Sequence, residues 1–177
     1  MVENSPNEAR VYEWLRARNH PFEVQEHKPI YTVAEGEEVR RTMPGGFAKN
    51  LLVTDKKSAL RLLVALGTIQ VDLKGTAKAI GAAGRFSFAK EERMVEALGV
   101  TPGSVTPLAL IHEGSHLIKE VVLDTNLLAH NPIWCHPLRN NASLALSAEA
   151  LLDFVKAHHG DPRLLDLSQP METTTAS

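Results

Sequence analysis

The loudest chemical pattern in the chain is His112-Glu113-Gly114-Ser115-His116, two imidazoles four residues apart with a carboxylate between them. On an α-helix this spacing sets both histidines on one face, where they hold zinc while the glutamate works on a metal-bound water. Gly114 and Ser115, however, separate two β-type runs, 108–111 and 117–123, so a hairpin turn is expected there rather than a zinc peptidase helix. Cys135 beside His136 offers a thiol and a base. Neighbours on a strand point to opposite faces, which works against a dyad, and Cys135 reads as a small core residue. No GxSxG elbow, P-loop or dinucleotide fingerprint occurs.

Lys49 is a quieter candidate. If 47–53 is a strand, period two puts Lys49 on the face of Phe47, Leu51 and Val53. An ammonium among apolar side chains is costly unless something pairs with it. Two readings stand: a lysine snorkelling at a sheet rim, or one that lines a pocket and meets an anionic or carbonyl oxygen. The loop Gly99-Val100-Thr101-Pro102-Gly103-Ser104-Val105-Thr106-Pro107 is stiffened by prolines, while its glycines let backbone approach a ligand. Such loops can offer N–H donors to a developing oxyanion, or simply join a helix to a strand. His136 before Pro137 is open to the same two kinds of reading.

The elements that must hold these residues are legible from caps and periodicity. Ser5-Pro6-Asn7-Glu8 has the capping-box arrangement and starts a helix that Asn19-His20-Pro21 ends. A strand from Phe22 towards His27 and a short helix over 32–41 follow. Residues 47–53 and 60–66 read as a hairpin joined by the polar connection 54–59. Asp72 caps a helix over 73–80 closed by Gly81, and a helix over 90–98 closes at Gly99. The runs 108–111 and 117–123 suggest a second hairpin, and 133–138 and 142–146 two further strands. Ser147 caps a last helix with the apolar face Leu151, Phe154 and Val155. The pattern predicts a single α+β domain over 1–170 with a mixed, largely antiparallel sheet flanked by helices, and a disordered tail over 171–177.

Composition narrows the function classes. The chain has 177 residues, 44% hydrophobic and 23% charged, enough for one core without staples. A formal net charge of −2 argues against a protein that tracks a long stretch of nucleic-acid backbone, although basic residues gather at Arg40 and Arg41, at Lys56, Lys57 and Arg61, and at Lys74, Lys78 and Arg85. One cysteine allows no internal disulfide, and the N-terminus lacks a basic start followed by an apolar stretch, so a cytoplasmic location is expected. The longest strongly apolar run, 62–66, is far short of the roughly 20 residues that span a bilayer, and no membrane role is expected.

Several segments, taken in order, resemble the YbaK and prolyl-tRNA synthetase editing-domain family over nearly the whole chain. They are His27-Lys28-Pro29-Ile30-Tyr31-Thr32-Val33-Ala34-Glu35, Ala48-Lys49-Asn50-Leu51, Val71-Asp72-Leu73-Lys74, Arg85-Phe86-Ser87-Phe88-Ala89, the loop 99–107, and His136-Pro137-Leu138-Arg139-Asn140. Each piece is weak alone; their order and spacing are specific. The resemblance implies that Lys49, Gly103 with Pro107, and His136 surround the aminoacyl end of a tRNA, with Asn50 and Ser104 as adjacent substrate-binding positions. It further implies hydrolysis of the ester joining alanine to the terminal adenosine of proline tRNA, by water, without metal, cofactor or covalent intermediate. Lys49 would hold the terminal nucleotide, the backbone at Gly103 would bind the amino acid or the oxyanion, and His136 would position substrate or water. Whether His136 is also a general base depends on its pKa, which sequence does not carry. The implied partner is the acceptor end of proline tRNA carrying a wrong amino acid, with prolyl-tRNA synthetase or an elongation factor as further partners and no DNA. Two relatives of this reading stay open: a deacylase for cysteinyl or seryl tRNA, and an inactive tRNA- or synthetase-binding module.

Overall fold

Side-chain caps start all the described α-helices except α4 (Glu91–Leu98), whose N-cap Lys90 makes no such bond. The Ser5 hydroxyl accepts from the Glu8 N–H at 3.2 Å and opens α1 (Pro6–Ala17). Thr32 and Glu35 form a reciprocal capping box at α2 (Val33–Arg40), and Asp72 caps α3 (Leu73–Ala79) through the Gly75 N–H. α4 (Glu91–Leu98) stops at Gly99, whose φ of +66° is the left-handed conformation that ends helices. After a single turn at α5 (Thr125–Leu128), Ser147 opens α6 (Ala148–His158). The computed structural model describes residues 5–30 and 32–170. The tail assigned to 171–177 lies outside the described residues, as does Tyr31.

The strands are β1 (Glu23–Glu26), β2 (Gly46–Thr54), β3 (Leu60–Leu66), β4 (Ser87–Phe88), β5 (Ile118–Asp124), β6 (Ile133–Cys135), β7 (Ala142–Leu146) and β8 (Arg163–Leu165). They form one sheet in the order β1-β7-β6-β2-β3-β5-β8, with β4 added beside one end of β2. The pairings β1–β7, β6–β7, β2–β3 and β2–β4 are antiparallel, while β2–β6, β3–β5 and β5–β8 are parallel, so the sheet is mixed as expected. Period two sorts its side chains. Leu52, Leu62, Val64 and Leu123 face a large core shared with α1, α4 and α6, whereas Val53, Leu63, Ala65 and Val122 face a smaller one with Ile80 and Leu167. β3 is buried on both faces from Leu60 to Ala65, which explains its nearly unbroken apolar run.

The second hairpin does not form. Pro107–Ile111 and Glu113–Leu117 are two consecutive 3-10 turns, and β5 lies parallel to β3 rather than antiparallel to a strand at 108–111. Thr106 accepts from the Leu108 N–H, Pro107 supplies the helical start, and Leu108, Ala109 and Leu110 are buried in the large core instead of alternating. Gly114 is pressed against α4, since a Cβ there would lie 1.9 Å from the Glu96 carbonyl oxygen. A 3-10 helix has about three residues per turn, so His112 and His116 are not stacked one turn apart as they would be on an α-helix, and the zinc-peptidase helix is absent for this reason rather than through a hairpin. Their Nδ1 atoms are engaged locally, His112 with the Gly114 N–H and His116 with the Glu113 carbonyl.

A buried ion cluster ties the β2–β3 connection to the segment leading into β4. Arg61, 2% exposed, donates to Asp55 Oδ2 at 2.8 Å and to Glu120 Oε2 at 3.3 Å. Asp55 also accepts from the N–H groups of Lys57, Ala59 and Ala83. The guanidinium, with those N–H groups, holds the Asp55 carboxyl well below the usual carboxylate range against the opposing effect of burial. Removing one member leaves the other charged and dry. Arg61→Met is expected to lower unfolding stability at neutral pH by about 3–5 kcal/mol. In urea melts the gap to the parent protein should narrow below about pH 4, where the unfolded chain takes up the proton that the folded parent refuses. Equal stability at pH 7 would remove this cluster from the account of the fold.

Candidate active site

β2 pairs with β3 along residues 48–54, but on its other side it meets β6 only at Gly46 and Phe47 and β4 only at Val53 and Thr54. The Gly67 N–H donates to the Phe47 carbonyl, so Phe47, Lys49 and Leu51 exchange main-chain bonds with β3 while Ala48, Asn50 and Leu52 point theirs outward. Ala89 takes the Leu52 carbonyl. Between the two contacts the strand edge is open, and a cavity of about 440 Å³ occupies the notch. Lys49, Asn50, Gly103 and His136 line it together. Ser104 and Pro107 do not: Ser104 is buried in a turn closed by its own N–H on the Thr101 carbonyl, and Pro107 is buried at the start of the first 3-10 turn.

Lys49 and Asn50 are successive, so they leave β2 on opposite faces, Lys49 with Leu51 and Val53 as period two requires. The Lys49 ammonium donates to the Ile69 carbonyl at 2.6 Å, leaving two further N–H donors. Burial lowers its pKa, the Arg40 guanidinium lowers it further, and Asp124 opposes them.

His136 follows β6. Its Nδ1 lies 3.2 Å from the Ala142 carbonyl, which can only accept, so Nδ1 carries the proton and Nε2 presents a lone pair. Burial pushes its pKa below the ordinary histidine value, His27 and Arg40 add to that, and the bond to Ala142 partly offsets it. The ring is therefore neutral at neutral pH. Gly103, at φ +90°, turns the 99–107 loop into the cavity, and a Cβ added there would meet the Asn140 amide nitrogen at 3.7 Å.

Several lining residues carry weak sequence signals. Arg40 belongs to a basic pair that reads as surface charge, yet it ends α2 stacked over the Phe47 ring at 5.2 Å. Phe88, 66% exposed, and Met94 form an apolar side. Phe88 sits on a two-residue strand too short for periodicity to reveal; the exposed aromatic in Arg85-Phe86-Ser87-Phe88-Ala89 is the only hint. Among the described residues, no Ser, Thr or Cys lines the cavity. Cys135 points into the large core, where burial pushes its thiol up to about 12. The arrangement combines cationic and main-chain donors for oxygens with one unprotonated imidazole nitrogen, a set suited to an ester or anion and an attacking water.

Comparison with known proteins meets the chain at this point. It is 36% identical to the prolyl-tRNA synthetase associated domain-containing protein 1 of Bos taurus, over 83% of this chain and 87% of that protein. It is 34% identical to the prolyl-tRNA editing protein ProX of Acetoanaerobium sticklandii, over 80% of this chain and 86% of that one. A crystal structure of a candidate trans-editing enzyme for prolyl tRNA synthetase superimposes with a TM-score of 0.71 at 22% identity, covering 94% of this chain and 99% of the other, which establishes the shared fold. Residues 27–154, spanning β2, the 99–107 loop and His136, match the aminoacyl-tRNA editing domain, and the chain belongs to that family.

Proposed function

We propose that the protein is a trans-editing deacylase that hydrolyses the ester of alanine mischarged onto proline tRNA, without a metal ion. The observation that carries this reading is the notch beside β2, where Lys49, Gly103 and His136 meet on one cavity in a chain of the editing family. Water adds to the ester carbonyl carbon, the carbonyl oxygen takes up negative charge, and the bond to the ribose oxygen breaks. Free alanine and a tRNA with its hydroxyl restored are the products. The two unused Lys49 donors suit the terminal phosphate or an ester oxygen, and the backbone turned inward at Gly103 suits the oxyanion. Nε2 of neutral His136 orients the water or takes its proton. Editing answers a limit of recognition: a pocket shaped for a larger amino acid gains only about 1–3 kcal/mol per methylene against a smaller one, whereas a second, smaller pocket excludes the larger by size.

Incubation with proline tRNA charged separately with alanine, cysteine, serine and proline is expected to clear the alanyl ester fastest and spare the prolyl ester. Lys49→Ala should cut kcat/KM for the alanyl ester by about tenfold or more, the loss of a charged hydrogen bond. Clearance of prolyl ester at the alanyl rate would end this reading. Dialysis against EDTA should leave the rate unchanged; a loss restored by a divalent metal would overturn the metal-free mechanism. Because His136 works unprotonated and burial holds its pKa below the ordinary histidine value, the enzyme-dependent rate should persist at a pH where an ordinary histidine is already protonating and fall only on further acidification. In His136→Ala, slower by roughly 100-fold or more, that acid limb should vanish; an unchanged limb would assign it to another group.

A further inference from the structure

Asn50 Oδ1 is the one fully buried side-chain oxygen or nitrogen among the described residues that lacks a hydrogen-bond partner. Buried amide oxygens are nearly always satisfied, and this one belongs to a residue that lines the cavity, so its donor can come from what occupies the cavity, water or ligand. The strand beneath it repeats the pattern. Asn50's main-chain N–H and C=O point away from β3, at the stretch of β2 that neither β6 nor β4 covers.

The donor's identity follows from the groups an aminoacyl ester carries. Its carbonyl, ester and phosphate oxygens are acceptors, which the donors of Lys49 and the Gly103 backbone suit and which an amide oxygen repels. Its α-amino group is a donor and is partly cationic near neutral pH. In a cavity already bordered by Lys49 and Arg40, that group needs carbonyl oxygens rather than another positive neighbour. Among the described residues the one carboxylate in the lining, Glu91, is exposed in the first turn of α4, where an ammonium would remain in water.

We propose, resting on the deacylase reading, that Asn50 is the α-amino receptor of the site: its Oδ1, beside the unpaired main-chain carbonyl of the same residue, accepts hydrogen bonds from the substrate's α-ammonium and so fixes which face of the ester meets the water. Asn50 thereby acts on the substrate from the sheet face opposite to Lys49, and the ester is held between them.

The test compares proline tRNA esterified with alanine and with propionic acid, which has the same carbon skeleton but no amino group, so intrinsic ester reactivity cancels within each substrate. Asn50→Ala is expected to lower kcat/KM for the alanyl ester by roughly tenfold or more, chiefly through KM, and to slow the propionyl ester by much less. Asn50→Asp, which keeps an acceptor in place, should retain alanyl hydrolysis within a few-fold, and a parent-like thermal melt verifies its fold. Equal slowing of both esters by Asn50→Ala, or loss of alanyl hydrolysis in a folded Asn50→Asp, overturns the assignment. Failure of the parent protein to hydrolyse the alanyl ester sinks the deacylase reading, and this proposal with it.

Discussion

β2 is hydrogen-bonded along one side and only at its two ends along the other. Unpaired main-chain groups at a strand edge are normally covered or blunted, because they cost free energy when dry and recruit foreign strands when exposed. Here the open stretch is recessed between β6 and β4, where another sheet has no room to dock and a small molecule does. The notch also lets successive residues of one strand serve one cavity from opposite faces, which an unbroken sheet forbids.

Two networks hold the notch open. On the β4 side, Asp55 binds Arg61 and the Ala83 N–H, so the chain entering β4 is fastened to the β2–β3 turn. On the β6 side, Arg139 forks onto Glu26 at 2.7 Å and reaches buried Glu8 at 3.0 Å, anchoring the segment after His136 to α1 and β1. Trp134 donates to the Pro44 carbonyl and stacks on Phe47, which fixes the point where β6 leaves β2. Charged pairs of this kind add little net stability over apolar packing, but they define geometry, because a carboxylate and a guanidinium satisfy each other in few orientations.

Local chemistry was legible wherever a hydrogen bond closes within a few residues. Ser5, Asp72, Gly99 and Ser147 mark helix ends in the sequence and do so in the structure. The 60–66 run announced a strand, and the polar 54–59 connection announced its antiparallel partner. The run 108–111 misled because a short apolar stretch has no period: it packs as a 3-10 turn against helices as readily as it alternates in a sheet. β8 went unseen for a related reason, since its three residues are defined by parallel pairing with β5, some forty positions earlier.

For the candidate site the division is similar. Sequence by itself determined the inventory and the local posture: a lysine on a strand face, a glycine loop able to turn inward, a histidine after a strand, and motifs in an order that names a family. Which of these residues share a cavity was decided by tertiary structure alone. Lys49 and His136 are brought together by the pairing of β2 with β6, and Gly103 by the loop that follows α4, while Ser104 and Pro107, close in sequence to Gly103, turn away into the interior. The tautomer of His136, the orphaned oxygen of Asn50 and the contribution of Arg40 belong to the same category. Each depends on partners contributed by distant segments, and a chain records its own hydrogen-bonding groups without recording which remote ones will meet them.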